Sequence, residues 1–194
     1  MASEPAQPVF YYDLGDPGCY VTAERIMAAL GRVGPIPEWE PVHGPAIGWT
    51  PPAPDEDALA AELARHGLLP LRLPATWPPD SALAMRVATY AKGGGRAVAF
   101  SLAAFRQVFA GGRDLGDEGT VLIAAAACEM HPTAVLKGVS LRSVGASLER
   151  ASERARRAGV SELPAIGVGA EVFCGDGALE RAADALSVLV GPGG

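Results

Sequence analysis

A change of rhythm along the chain limits its fold more than any other feature. Short apolar runs bounded by turn residues stand at both ends, and helical periodicity fills the middle. Val9-Phe10-Tyr11-Tyr12-Asp13-Leu14 is an apolar, aromatic run that reads as a buried strand. Gly15-Asp16-Pro17-Gly18 breaks it. A carboxylate at Asp16 can cap free helix N–H groups, and proline is tolerated at the first helical position. Cys19, Ala23, Ile26, Met27 and Leu30 then fall on one helical face, with Gly31 just past its end. Pro37–Val42 reads as a second strand, with Pro41 marking an edge or an end.

His43–Pro54 is rich in proline and glycine and is expected to be irregular. Helices are predicted over Asp55–His66, Asp80–Lys92, Arg96–Ala110 and Asp117–Met130, an insert of about 85 residues at ordinary helix lengths. Leu141, Val144, Leu148, Ala151 and Ala155 then form one face of an amphipathic helix that ends at Gly159. Leu163-Pro164 leads into the strand pattern Ala165–Val168. Gly169-Ala170 turns the chain, Glu171–Phe173 returns, and a last helix runs over Gly177–Val190. The tail Gly191-Pro192-Gly193-Gly194 reads as a stop. The order is β-α-β, a helical block, then α-β-β-α. It predicts an α/β protein with a mixed sheet and helices on both faces. The expected division is residues 1–45 with 140–194 as the sheet domain and 46–139 as a helical insertion.

Composition removes several classes of function. At 194 residues and 49% hydrophobic, the chain has ample material for a core and is not disordered. Its net charge of −6 argues against nucleic acid, whose phosphates need a basic face. The longest apolar candidate, Val121–Cys128, is far too short to span a bilayer. Met1–Pro8 shows no basic segment followed by an apolar one, so the expected location is cytoplasmic. The 3 cysteines are too scattered for a disulfide framework. His43, His66 and His131 lack metal-ligand spacing, so no metal is expected.

Several segments together resemble one family. Phe10–Tyr20 is similar to an aromatic strand followed by Asp and then Ser-Pro-Tyr-Ser-Tyr. Glu40–Gly44, Trp77-Pro78-Pro79-Asp80-Ser81, Gly159–Pro164 and Phe173-Cys174-Gly175-Asp176 follow in matching order. The chain resembles the thioredoxin fold with a helical insertion. More narrowly it resembles the DsbA-like branch that holds 2-hydroxychromene-2-carboxylate isomerases and kappa-class glutathione transferases. The resemblance implies an isomerase or thiol-dependent enzyme acting on a small organic molecule. Glutathione or another low-molecular-weight thiol would be its cofactor, the Leu163–Pro164 bond would be cis, and the protein would be a homodimer.

Three positions depart from the family pattern. Asp16 stands where the family has a serine that holds the glutathione sulfur. Asp80 replaces an asparagine. Gly177-Ala178 replaces an Asp-Arg pair that grips the γ-glutamyl end, so a basic partner is missing there. With Asp16 first and Cys19 last in the motif, two-thiol redox chemistry through it is impossible.

The candidate catalytic residues are therefore Asp16 and Cys19. The candidate substrate- or thiol-binding residues are Trp77, Asp80, Leu163, Pro164 and Asp176. The plain readings stand beside these: Asp16 as an N-cap, Cys19 as a small buried hydrophobe, Asp13 as a buried structural acid, and Cys128 and Cys174 as packing. The competing functions are a catalytically inactive ligand- or protein-binding member and a one-thiol exchange protein using Cys19.

Overall fold

The computed structural model describes residues 7–190. Residues 1–6 and the closing Gly191-Pro192-Gly193-Gly194, with the readings made of them, lie outside the described residues. Strand β1 (Val9–Tyr12) leads through the Asp16 cap into helix α1 (Pro17–Leu30). Strand β2 (Glu38–Pro41) follows, then a 3-10 turn (Gly44–Ile47). The helices α2 (Glu56–Arg65), α3 (Ala82–Gly93), α4 (Ala97–Phe109), α5 (Glu118–Ala126) and α6 (Pro132–Ser140) come next. Helix α7 (Arg142–Arg157), the hairpin β3 (Ala165–Val168) and β4 (Glu171–Cys174), and helix α8 (Ala178–Val190) complete the order.

The sheet order is β2-β1-β3-β4. β1 and β2 are parallel, as their connection through α1 requires; β1–β3 and β3–β4 are antiparallel. Pro41 thus sits on an edge strand, where a missing N–H costs no ladder bond. Gly169 turns the hairpin at φ 61°, a conformation that a residue with a Cβ adopts at a steric cost.

Alternation along β1 sends Phe10 and Tyr12 to one face of the sheet and Tyr11 to the other. Phe10 stacks on Tyr12, and both meet Trp39 of β2 edge-on. Tyr12 and Tyr20 each lie 6.0 Å from the Phe105 ring of α4, and Tyr20 stacks on Phe109. The buried Tyr12 hydroxyl bonds Ser101 Oγ at 2.7 Å. Sheet, α1 and α4 therefore share one core. At the β2 edge, Lys92 of α3 reaches Glu38 at 2.7 Å and Glu40 at 2.8 Å, and Arg154 of α7 reaches Glu40 at 3.4 Å.

The sequence predicts four helices in the insert, and the structure has five. The run read as Asp117–Met130 stops at Ala126, where Glu129 takes φ 58°. His131 Nδ1 then accepts from the Thr133 amide at 3.3 Å, and Pro132 opens α6. The apolar composition of 121–139 hides this break; the His-Pro step is the local signal for it.

Candidate functional site

The end of β1 and the start of α1 build the centre of the site. The Asp16 amide donates to the Asp13 carbonyl at 3.2 Å, closing the turn between them. Asp16 is extended at φ −106°, ψ 120°, and its Oδ1 accepts from the Cys19 amide at 3.0 Å. This is the N-cap geometry expected from Asp16-Pro17. The carboxylate therefore occupies the positive end of α1, where a ligand anion would otherwise sit. Its Oδ2 accepts from the Trp49 indole Nε1 at 2.9 Å. Asp16 is only 3% exposed. Burial pushes its pKa from 3.8 up to about 6, against the lowering effect of the Trp49 and Cys19 N–H groups. The neighbouring Asp13 charge adds to the rise.

Leu163-Pro164 leads directly into β3, the strand paired with β1, and its peptide bond is cis, as the resemblance implies. A methyl group added at Gly18 would lie 3.0 Å from Pro164 Cδ and 3.1 Å from Asp16 Oδ1. The first turn of α1 and the proline loop are thus in contact, and glycine at position 18 permits the approach. Between them and α2 runs a groove of about 810 Å³. Asp16, Trp49, Leu163, Pro164, Asp176 and Arg181 are among the residues that line it. Among the described residues, neither the N–H nor the C=O of Leu163 has a hydrogen-bond partner.

Four of the seven candidate residues therefore meet: Asp16, Leu163, Pro164 and Asp176. Three do not line the groove. Cys19 is fully buried among core residues, on the inward face of α1. Burial, and then the Asp16 charge, push its thiol well above the ordinary range. Trp77 packs against the core, with its indole Nε1 buried. The Asp80 carboxylate is committed to the Ala82 amide at 3.0 Å, at the start of α3. The segment carrying both braces the Gly15 turn: a methyl group at Gly15 would lie 3.2 Å from the Pro79 carbonyl oxygen.

Sequence reasoning missed Trp49, Arg181 and the exposure of Cys174 to the groove. Gly177-Ala178 carries no basic group, but Arg181, one helical turn later, lines the groove. Arg181 Nη1 donates to the Asp176 carbonyl and Nη2 to the Cys174 carbonyl, each at 2.7 Å. The spacing from Gly177 to Arg181 on a predicted helix could have signalled it. Nothing local signals Trp49, whose partner lies 33 residues away. Cys174, not Cys19, is the groove thiol.

A second cavity of about 560 Å³, lined by α3, α6 and α7, shares no residue with the groove. Among the described residues there is no group of three or more potential metal ligands, and no helix is long and apolar enough to cross a membrane.

The mixed four-stranded sheet, the helix opening at Asp16 and the cis-proline before β3 define a thioredoxin-like fold with helices inserted after β2. The model of the DSBA-like thioredoxin domain matches residues 52–187, and the chain belongs to that family. Among solved structures it is similar to a 2-hydroxychromene-2-carboxylate isomerase at 18% identity and TM-score 0.81, covering 94% of this chain and 95% of that one. It is similar to a probable DsbA oxidoreductase from Streptomyces coelicolor at 20% identity and TM-score 0.78, covering 94% and 89%. The cytosolic disulfide reductase DsbM from Pseudomonas aeruginosa, solved with GSH, matches at 16% identity and TM-score 0.64, covering 94% and 96%. No curated protein sequence matches the chain.

Proposed function

We propose that this member of the family is an acid–base enzyme rather than a two-thiol redox enzyme, isomerising a small conjugated organic substrate in the groove. The observation that carries this reading is Asp16: a carboxyl group lining a ligand-sized groove, with its pKa raised by burial to about 6. A proton-transfer group works best with a pKa near the operating pH. Asp16 removes a proton at one atom of the substrate and returns it at another, so no electron donor or acceptor is needed. The unpaired N–H and C=O of Leu163 offer an extended ligand two backbone hydrogen bonds.

A low-molecular-weight thiol such as glutathione is the co-ligand in this reading. Arg181 and Arg65 supply contacts for its carboxylates, and Asp176 supplies one for its ammonium group. The enzyme acts in the cytoplasm as a homodimer in this reading, which light scattering checks directly.

The test is turnover of a chromene carboxylate, followed by absorbance. Asp16→Asn is expected to lower kcat by roughly 100-fold or more, the usual worth of a general acid–base group. Cys174→Ser and Cys19→Ala should leave kcat within a few-fold. Full activity of Asp16→Asn, or abolition by Cys174→Ser, would overturn the assignment. One observation favours a second reading, an inactive ligand-binding member: both Asp16 oxygens already accept hydrogen bonds from the protein. Ligand binding without turnover across a panel of conjugated acids would select it.

A further inference from the structure

Asp13 is the buried acid that the proposed reaction leaves unused. It is 4% exposed, and both of its oxygens accept backbone amides. Oδ1 takes the Gly15 N–H at 2.8 Å and Oδ2 takes the Gly44 N–H at 2.7 Å, 31 residues away. Both oxygens thus act as acceptors of backbone donors. The Gly44 carbonyl in turn accepts the Trp49 amide at 2.9 Å. Trp49 donates its indole N–H to Asp16, and the Asp16 amide returns to the Asp13 carbonyl. The hydrogen bonds close into a ring: Asp13, Gly44, Trp49, Asp16 and back to Asp13.

From this ring we infer that Asp13 is a positioning residue, which anchors the Gly44 turn so that Trp49 is held as a hydrogen-bond donor on the Asp16 carboxylate. The inference rests on the reading of Asp16 as the reacting group, but its physical content does not require turnover. Gly44 is part of the device. A methyl group there would stand 3.0 Å from the Trp49 carbonyl oxygen and 3.4 Å from Asp13 Oδ2, so a side chain at position 44 would push the Trp49 and Asp13 contacts apart by a few tenths of an ångström. Without the ring, the indole would hang from a proline-rich stretch, Pro51-Pro52-Ala53-Pro54, that belongs to no helix or strand. A hydrogen bond to an ionised group favours that ionised form, so the ring holds down a proton affinity that burial alone would raise further.

Charged and titratable groups stand around Asp16 on several elements. Asp13 and the Cys19 thiol flank it within β1–α1. Asp55, Glu62 and Arg65 line the groove from α2, Glu162 from the segment before β3, and Asp176 and Arg181 from the α8 end. Among the largest influences on the Asp16 proton affinity, the Asp13 carboxylate is the charged one, and it raises that affinity.

The test uses the whole chain without substrate. The indole N–H resonance of Trp49, assigned with Trp49→Phe, and the Asp16 carboxyl carbon are followed by NMR from pH 4 to pH 8. In the parent protein both should titrate together near pH 6, and Asp16→Asn should abolish the indole response. In Gly44→Ala the indole should stop titrating, and the Asp16 midpoint should rise by about one pH unit. That is the tenfold change in proton affinity expected when one charge-assisted hydrogen bond is lost. Asp13→Asn should uncouple the indole in the same way; should it fail to fold, Gly44→Ala decides alone. An indole that still follows Asp16 with full amplitude in the folded Gly44→Ala protein would overturn the inference, as would a parent indole that does not titrate. Loss of turnover in Asp16→Asn is a separate measurement. The catalytic reading can therefore fail while the ring survives, or the reverse.

Discussion

Replacing Asp16 by asparagine should change how stability depends on pH, with a sign opposite to that of most carboxylates. Asp16 is held from 3.8 up to about 6 in the folded chain. A raised carboxyl pKa means that the folded state binds the proton more tightly than the unfolded state. The resulting stability is fully present below about pH 4 and is lost as the pH climbs through about 6. A shift of about 2 units at 1.36 kcal/mol each gives about 3 kcal/mol lost between pH 4 and pH 7. Asparagine caps a helix nearly as well as aspartate and carries no charge, so the variant lacks this component. It has a separate, pH-independent cost. One end of the amide is a donor facing either the Trp49 or the Cys19 N–H, which orphans a buried donor at about 1–3 kcal/mol.

Urea unfolding of both proteins at pH 4, 5, 6 and 7 reads the difference directly, and contributions of other acids cancel in it. The parent should exceed the variant in stability at pH 4. That margin should shrink by about 3 kcal/mol by pH 7 and close or reverse there. The double variant Asp16→Asn, Trp49→Phe should recover about 1–3 kcal/mol over the single variant, because the orphaned donor is gone. A margin that is flat or grows with pH would refute the claim that burial dominates at Asp16.

Other outcomes follow from the same geometry. Gly18→Ala crowds Pro164 Cδ and Asp16 Oδ1, and should cost about 1–3 kcal/mol of stability while weakening ligand binding in the groove. Thermal melts and calorimetry check both effects, and unchanged affinity would separate Gly18 from the site. Thiol titration of the native protein should show Cys174 and Cys128 reacting, with Cys19 silent until unfolding. A fast third thiol would contradict its burial. Gly138→Ala drives a methyl group into the Tyr90 ring that packs on α6, and should cost about 1–3 kcal/mol in urea unfolding. A neutral result would mean that α3 and α6 separate easily.

By itself, the sequence determined what depends on neighbours a few residues apart. The strand from Val9, the Asp16-Pro17 helix start and the apolar face that buries Cys19 are written in local spacing, and so is the β3–β4 hairpin. Capping and periodicity act within one or two helical turns, so a linear reading recovers them. The cis-proline came from resemblance to a family. Tertiary packing decided the rest. It placed Trp49 on Asp16 across 33 residues and brought the Arg181 head to the carbonyls of Cys174 and Asp176. It also set Pro79 and Ser81 against the Gly15 turn and left Trp77 and Asp80 outside the groove they were expected to line. An acid read locally as a helix cap becomes a group titrating near pH 6 only when the fold removes its water, and that removal depends on distant segments with no local signature.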